Sequence, residues 1–78
     1  MYSLEVKMNR MTSWTDRIYY SIEHDMDVGR ISGYDENNQE YWIVIAAGRG
    51  YNERRKEAVV SIMDAIERGD DAGEVIDE

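Results

Sequence analysis

Apolar residues recur at every second position at the start of the chain, where Tyr2, Leu4, Val6 and Met8 alternate with Ser3, Glu5, Lys7 and Asn9. A period of two places one face of a strand in a core and the other in water, so residues 2–9 are read as a strand. Arg10 to Asp16 breaks the alternation with Thr12, Ser13 and Thr15, and reads as a loop carrying Trp14. Alternation resumes at Ile18, Tyr20 and Ile22. The apolar phase then moves from even positions to the odd Ile31, which predicts a turn or bulge over Asp25 to Gly29. A third strand through Ile31 and Gly33 ends at Asp35-Glu36-Asn37-Asn38-Gln39, a turn-forming cluster.

From Glu40 to Ala47 both faces are apolar, with Tyr41, Ile43 and Ile45 on one and Trp42, Val44 and Ala46 on the other. Such a strand is expected in the middle of a sheet with a helix over it. Gly48-Arg49-Gly50 ends it. Asn52 is a favourable N-cap, and Val59, Ile62, Met63 and Ile66 follow the i, i+3, i+4, i+7 spacing of a buried helical stripe, with Ala58 and Ala65 beside it. Gly69 stands where a helix stop is expected. The pattern predicts an α+β domain: a small four-stranded, mainly antiparallel sheet with one C-terminal helix packed on it, in the order ββββα. Residues 1–69 form the compact domain, and residues 70–78 an acidic, flexible tail.

Composition narrows the function. The 78 residues include no cysteine, which excludes a disulfide framework, a thiolate metal site and a catalytic thiol. The longest apolar run, Trp42 to Ala47, is far short of the ~20 residues of a membrane span. No basic-then-apolar leader is found, so a cytoplasmic location is expected, in the host cell if the chain is phage-encoded. One histidine, His24, is present, and its neighbours Ser21 and Asp25 are not at the spacing of a catalytic triad; no catalytic residues and no enzyme activity are expected. Neither the carboxylates at 23, 25 and 27 nor the Asp35 segment, where Glu40 stands in place of a calcium loop's glycine, makes a metal motif. No metal or cofactor is expected.

The net charge of −8 is unevenly spread. The last nine residues carry −5, residues 16–40 carry −5, and residues 49–56 carry +3. Glu23, Asp25, Asp27, Asp35, Glu36 and Glu40 are therefore the candidate partner-binding carboxylates, with Tyr34 or Trp42 as an apolar anchor. Spaced carboxylates can imitate nucleic-acid phosphates and engage arginines and lysines of a partner. The expected partner is a protein with a basic, nucleic-acid-binding surface. In size, charge and strand-rich build the chain is similar in kind to small phage-encoded inhibitors such as anti-CRISPR and anti-restriction proteins, which implies a stoichiometric, occluding mode of action.

A second reading rests on Arg49, Arg54, Arg55 and Lys56. Three consecutive bases at a helix start oppose the macrodipole, and a bound anion would relieve this. Gly48-Arg49-Gly50, Asn52 and Arg55-Lys56-Glu57-Ala58 followed by an apolar helix resemble the end of a double-stranded RNA-binding domain. The resemblance implies phosphate contacts from those bases. It covers about 20 residues, and that family's leading helix has no counterpart here. A third reading is self-association, with a homodimer formed through the sheet face that one helix leaves uncovered.

Overall fold

The computed structural model describes residues 10–76, so the strand read over residues 2–9 lies outside the described residues. Three long strands, β1 (Met11–Ser21), β2 (Met26–Asp35) and β3 (Glu40–Ala46), lead to one helix, α1 (Tyr51–Arg68), and a short return strand, β4 (Gly73–Glu74). The sheet order is β1-β2-β3-β4, with antiparallel β1/β2 and β2/β3 pairs and a parallel β3/β4 pair. The protein is an α+β domain with a four-stranded, mostly antiparallel sheet and one helix. Its fourth described strand comes after the helix, from the segment read as a tail.

Met11 to Asp16 is strand and not the expected loop. Among the described residues β1 is an edge strand and mostly exposed, so its first half, Met11 to Asp16, carries no alternation of apolar and polar types. Threonine and tryptophan nevertheless suit a pleated backbone. The strand contains a bulge at Thr12, where the register moves from Met11↔Asp35 to Ser13↔Tyr34. The extra residue turns Met11 to the helix side, where it packs against the core.

The turn between β1 and β2 spans residues 22–25 rather than 25–29, with Ser21 opposite Met26 and Asp25 at φ 54°. Aspartate reaches the left-handed region more readily than most residues because its short side chain bonds locally. A loop of even length pairs even positions of β1 with odd positions of β2. The phase change read as irregularity is therefore a consequence of regular pairing. The next turn closes through a bond from the Asp35 amide to the Gln39 carbonyl (3.2 Å), with Asn38 at φ 62°.

α1 begins two residues earlier than an N-cap at Asn52 would place it. Its N-cap is Gly50 at φ 79°, without a side-chain cap, and the Arg54 amide donates to the Gly50 carbonyl (3.1 Å). Ala58, Ile62, Ala65 and Ile66 are the buried helix residues, so the stripe is rotated toward the alanines while Val59 and Met63 lie at its margins. Small residues at the contact let the helix approach the sheet closely.

That approach depends on β2. Ile31 and Ile62 are fully buried at its centre. On either side of Ile31, a Cβ at Gly33 would stand 2.6 Å from Ile62 Cγ2 and 2.9 Å from Met11 Sδ, and one at Gly29 would overlap the Tyr51 ring. Tyr41, Ile43, Ile45 and Val75 complete the core. The opposite, helix-free face carries the even positions of β2 and β3, including Arg30, Ser32, Tyr34, Glu40 and Trp42.

Gly33→Ala is expected to destabilise the fold by about 1–3 kcal/mol through overpacking. Gly48→Ala, whose Cβ meets nothing within 4 Å, is expected to change stability by no more than about 0.5 kcal/mol. Urea denaturation of the two variants checks both values.

Candidate protein-interaction surface

The six candidate carboxylates divide between the two ends of the sheet. Glu23 and Asp25 occupy the β1–β2 turn and Asp27 begins β2, whereas Asp35, Glu36 and Glu40 surround the β2–β3 turn. Asp27 and Asp35 stand at opposite ends of β2, about 26 Å apart at a strand rise of ~3.3 Å per residue. They do not make one surface.

Several of them are also held within the fold. Asp35 Oδ1 accepts the amides of Asn37 and Gln39, both at 2.9 Å, and so shapes its turn. Glu40 Oε2 accepts the Ser32 hydroxyl (2.8 Å) and pairs with Arg30 (3.3 Å). Asp25 accepts the Tyr20 hydroxyl, which is the main cause that raises the Tyr20 phenol above its ordinary pKa. The two proposed anchors are half-buried, and the Trp42 ring lies beneath the Arg30 guanidinium, 4.4 Å from its centroid.

The chain after α1, expected to be a flexible tail, supplies further carboxylates. Gly69 closes the helix with its amide on the Ile66 carbonyl (3.1 Å), and the Asp70 amide reaches the Ala65 carbonyl (3.0 Å). The chain then runs back beside β3, where the Val75 amide donates to the Trp42 carbonyl (2.9 Å). Tyr41, 5% exposed, joins the two acidic segments: its hydroxyl faces the Asp70 carbonyl at 3.0 Å and Asp35 Oδ2 at 3.4 Å. Burial first, and then the Asp35 charge, raises its pKa above the ordinary value.

An open groove of about 640 Å³ results between the C-terminal half of α1 and residues 70–76, lined by Asp64, Asp70, Asp71, Glu74 and Arg68 with Ile76 at its margin. Arg68 pairs with Asp70 (2.8 Å). Asp64, Asp71 and Glu74, like Glu36 in the β2–β3 turn, make no ion pair among the described residues. Asp64 escaped sequence reading because it is an ordinary exposed helix position until Gly69 reverses the chain. The available signal was Val75, an apolar residue six places beyond that glycine, suited to a return onto the core.

The basic segment is largely committed to holding the helix. Arg54 donates to the carbonyls of Arg49 and Ala46, both at 2.7 Å, and ties the end of β3 to α1. Arg55 pairs with Asp16 (3.2 Å), which also accepts the Tyr51 hydroxyl (3.3 Å). Arg49 and Lys56 remain exposed, with no side-chain partner among the described residues.

Ser21 and His24 also meet, with Oγ 3.0 Å from Nδ1, but the same hydroxyl accepts the His24 amide (3.2 Å), so the contact closes the β1–β2 turn. Among the described residues, no His, Cys, Asp and Glu side chains gather in a group that would hold a metal ion, and no helix is long and apolar enough to cross a membrane. No family model, curated protein or solved structure matches the chain.

Tyr51, like Tyr41, has a raised pKa, from burial first and then the Asp16 charge. An unfolded tyrosine titrates near ~10, so above that pH the unfolded chain releases these protons first and the native state loses stability. The stabilisation is complete below pH ~10 and falls as pH rises toward the folded values. Urea midpoints measured between about pH 8 and pH 11 are expected to drop across this window. Replacing both residues with phenylalanine is expected to flatten the drop, after a loss at neutral pH of about 1 kcal/mol for each hydroxyl bond removed.

Proposed function

We propose that the protein is a non-enzymatic interaction module whose acidic end inserts into a basic, nucleic-acid-binding surface of a protein partner and occludes it. The observation that supports this reading best is the set of unpaired carboxylates Asp64, Asp71 and Glu74 on one open groove, with Glu36 following Asp35 in the turn that Tyr41 links to Asp70. A partner's arginines and lysines would meet these groups through charge-assisted bonds. Ile76, 76% exposed, offers an apolar contact at the margin of the same groove. The acidic, occluding mode expected from composition is kept, but its centre moves from the six carboxylates of the β1–β2 and β2–β3 turns to the end that includes residues 64–76. Stoichiometric inhibition of the anti-CRISPR or anti-restriction kind belongs to this proposal.

Phosphate binding at the helix start is less favoured, because Arg54 and Arg55 are engaged with β3 and β1. Glu53 and the overall charge of −8 oppose a polyanion there as well.

The test uses an arginine-rich peptide bound to a short DNA duplex. The protein is expected to capture the peptide and release the duplex, with an affinity that falls as salt rises. The triple variant Asp64→Lys, Asp71→Lys, Glu74→Lys is expected to lose at least roughly tenfold in affinity, as for several charge-assisted contacts. Glu23→Lys, Asp25→Lys, Asp27→Lys changes the net charge equally and is expected to retain most of it. Equal losses in both variants would show a non-specific charge effect and refute the site.

A further inference from the structure

On the helix-free face, two arginines stand directly opposite one another. Arg17 of β1 is the register partner of Arg30 of β2, with Thr15↔Ser32 the next pair on that face. Like charges at such positions repel, so the arrangement is unfavourable without a counter-charge. Glu40 supplies one to Arg30 through a single nitrogen, Nη2. Arg17 has no ion pair or hydrogen bond among the described residues.

Both guanidinium groups are nonetheless held in place. Arg30 lies over the Trp42 ring at 4.4 Å and Arg17 over the Tyr19 ring at 5.1 Å. Cation–π stacking fixes the planes while leaving edge N–H groups for a ligand. The two arginines line one cup of about 470 Å³ together with Thr15, Tyr34, Ser32 and Glu40. The hydroxyls of Thr15 and Tyr34 have no hydrogen-bond partner among the described residues, and Asp16, also at the cup, turns its carboxylate to Tyr51 and Arg55.

We propose that this cup is a binding site for a phosphate monoester, with the phosphate bridging Arg17 and Arg30 and accepting from Thr15 and Tyr34. Arginine's planar fork matches phosphate geometry, and the volume is that of a small-molecule site. Charge sets the ligand's size. Glu40 lines the cup, and Asp35 and Glu36 follow at the β2–β3 turn, so a chain of phosphates running toward that turn would meet carboxylates. A single phosphate between Arg17 and Arg30 meets Glu40 alone, whose charge Arg30 already balances. The surface is separate from the acidic groove, and neither proposal depends on the other.

The experiment titrates inorganic phosphate into isotope-labelled protein at constant ionic strength and follows the arginine Nε–Hε signals and backbone amides. Saturable shifts of Arg17, Arg30, Thr15 and Ser32 are expected, with an affinity reduced about tenfold in Arg17→Gln, the cost of a lost charge-assisted bond. Glu40→Gln frees Arg30 from its internal partner and is expected to tighten binding, whereas Glu23→Gln, the same charge change at the far turn, leaves it unaltered. Linear shifts without saturation, shifts centred on Arg49 and Lys56, or equal effects of the two glutamine variants would each overturn the proposal. Tighter binding of a single-stranded oligonucleotide than of inorganic phosphate in the cup would overturn it too, by showing a polyanion site. Unchanged amide spectra of the variants elsewhere show that the fold is kept.

Discussion

The close seating of α1 on β2 is the constraint from which the rest of the structure follows. Two positions of β2 without side chains, Gly29 and Gly33, admit Tyr51 and Ile62 against the sheet on either side of Ile31. Small residues on the helix, Ala58 and Ala65, bring the backbones together from the other side. A side chain at either glycine would lift the helix and open the contact between Ile31 and Ile62, the two fully buried residues at its centre. Close packing of this kind tolerates little added volume.

The helix in turn positions the charged groups. Its first two turns present Tyr51 and Arg55 to Asp16, which fastens α1 to β1. Its last turn delivers the chain to the start of β3, where Tyr41 spans Asp35 and Asp70. Carboxylates distant in sequence are thereby gathered at one end of the sheet, while cations held in place by aromatic rings lie on the face the helix leaves open. A separation of opposite charges over a small domain directs an approaching partner as well as binding it.

Much of this architecture is legible in the residues themselves. The alternation through Ile18, the turn cluster after Asp35, the two apolar faces of Glu40 to Ala46 and the glycine at 69 each name an element that is present. The first half of β1, at the sheet edge among the described residues, lacks the burial that writes a period of two, so Met11 to Asp16 resembles a loop. β4 is too short to carry any pattern, and only Val75 hints that the chain returns. The candidate surface was legible as composition but not as geometry. A list of acidic positions does not say that β2 holds Asp27 and Asp35 at opposite ends, nor that Glu40 belongs to Arg30 and Ser32. Asp64 joins the groove only through tertiary contacts, to which the spacing along a helix is blind.

The acidic groove formed by residues 64–76, with the adjoining turn at Glu36, is the surface proposed to contact a basic partner. The most direct measurement is amide-shift mapping of the labelled protein with an arginine-rich peptide at moderate salt. Saturable shifts confined to Glu36, Asp64, and the stretch from Arg68 to Ile76 are predicted. Shifts centred on the turn at residues 22–27, or spread evenly over every exposed carboxylate, would contradict it.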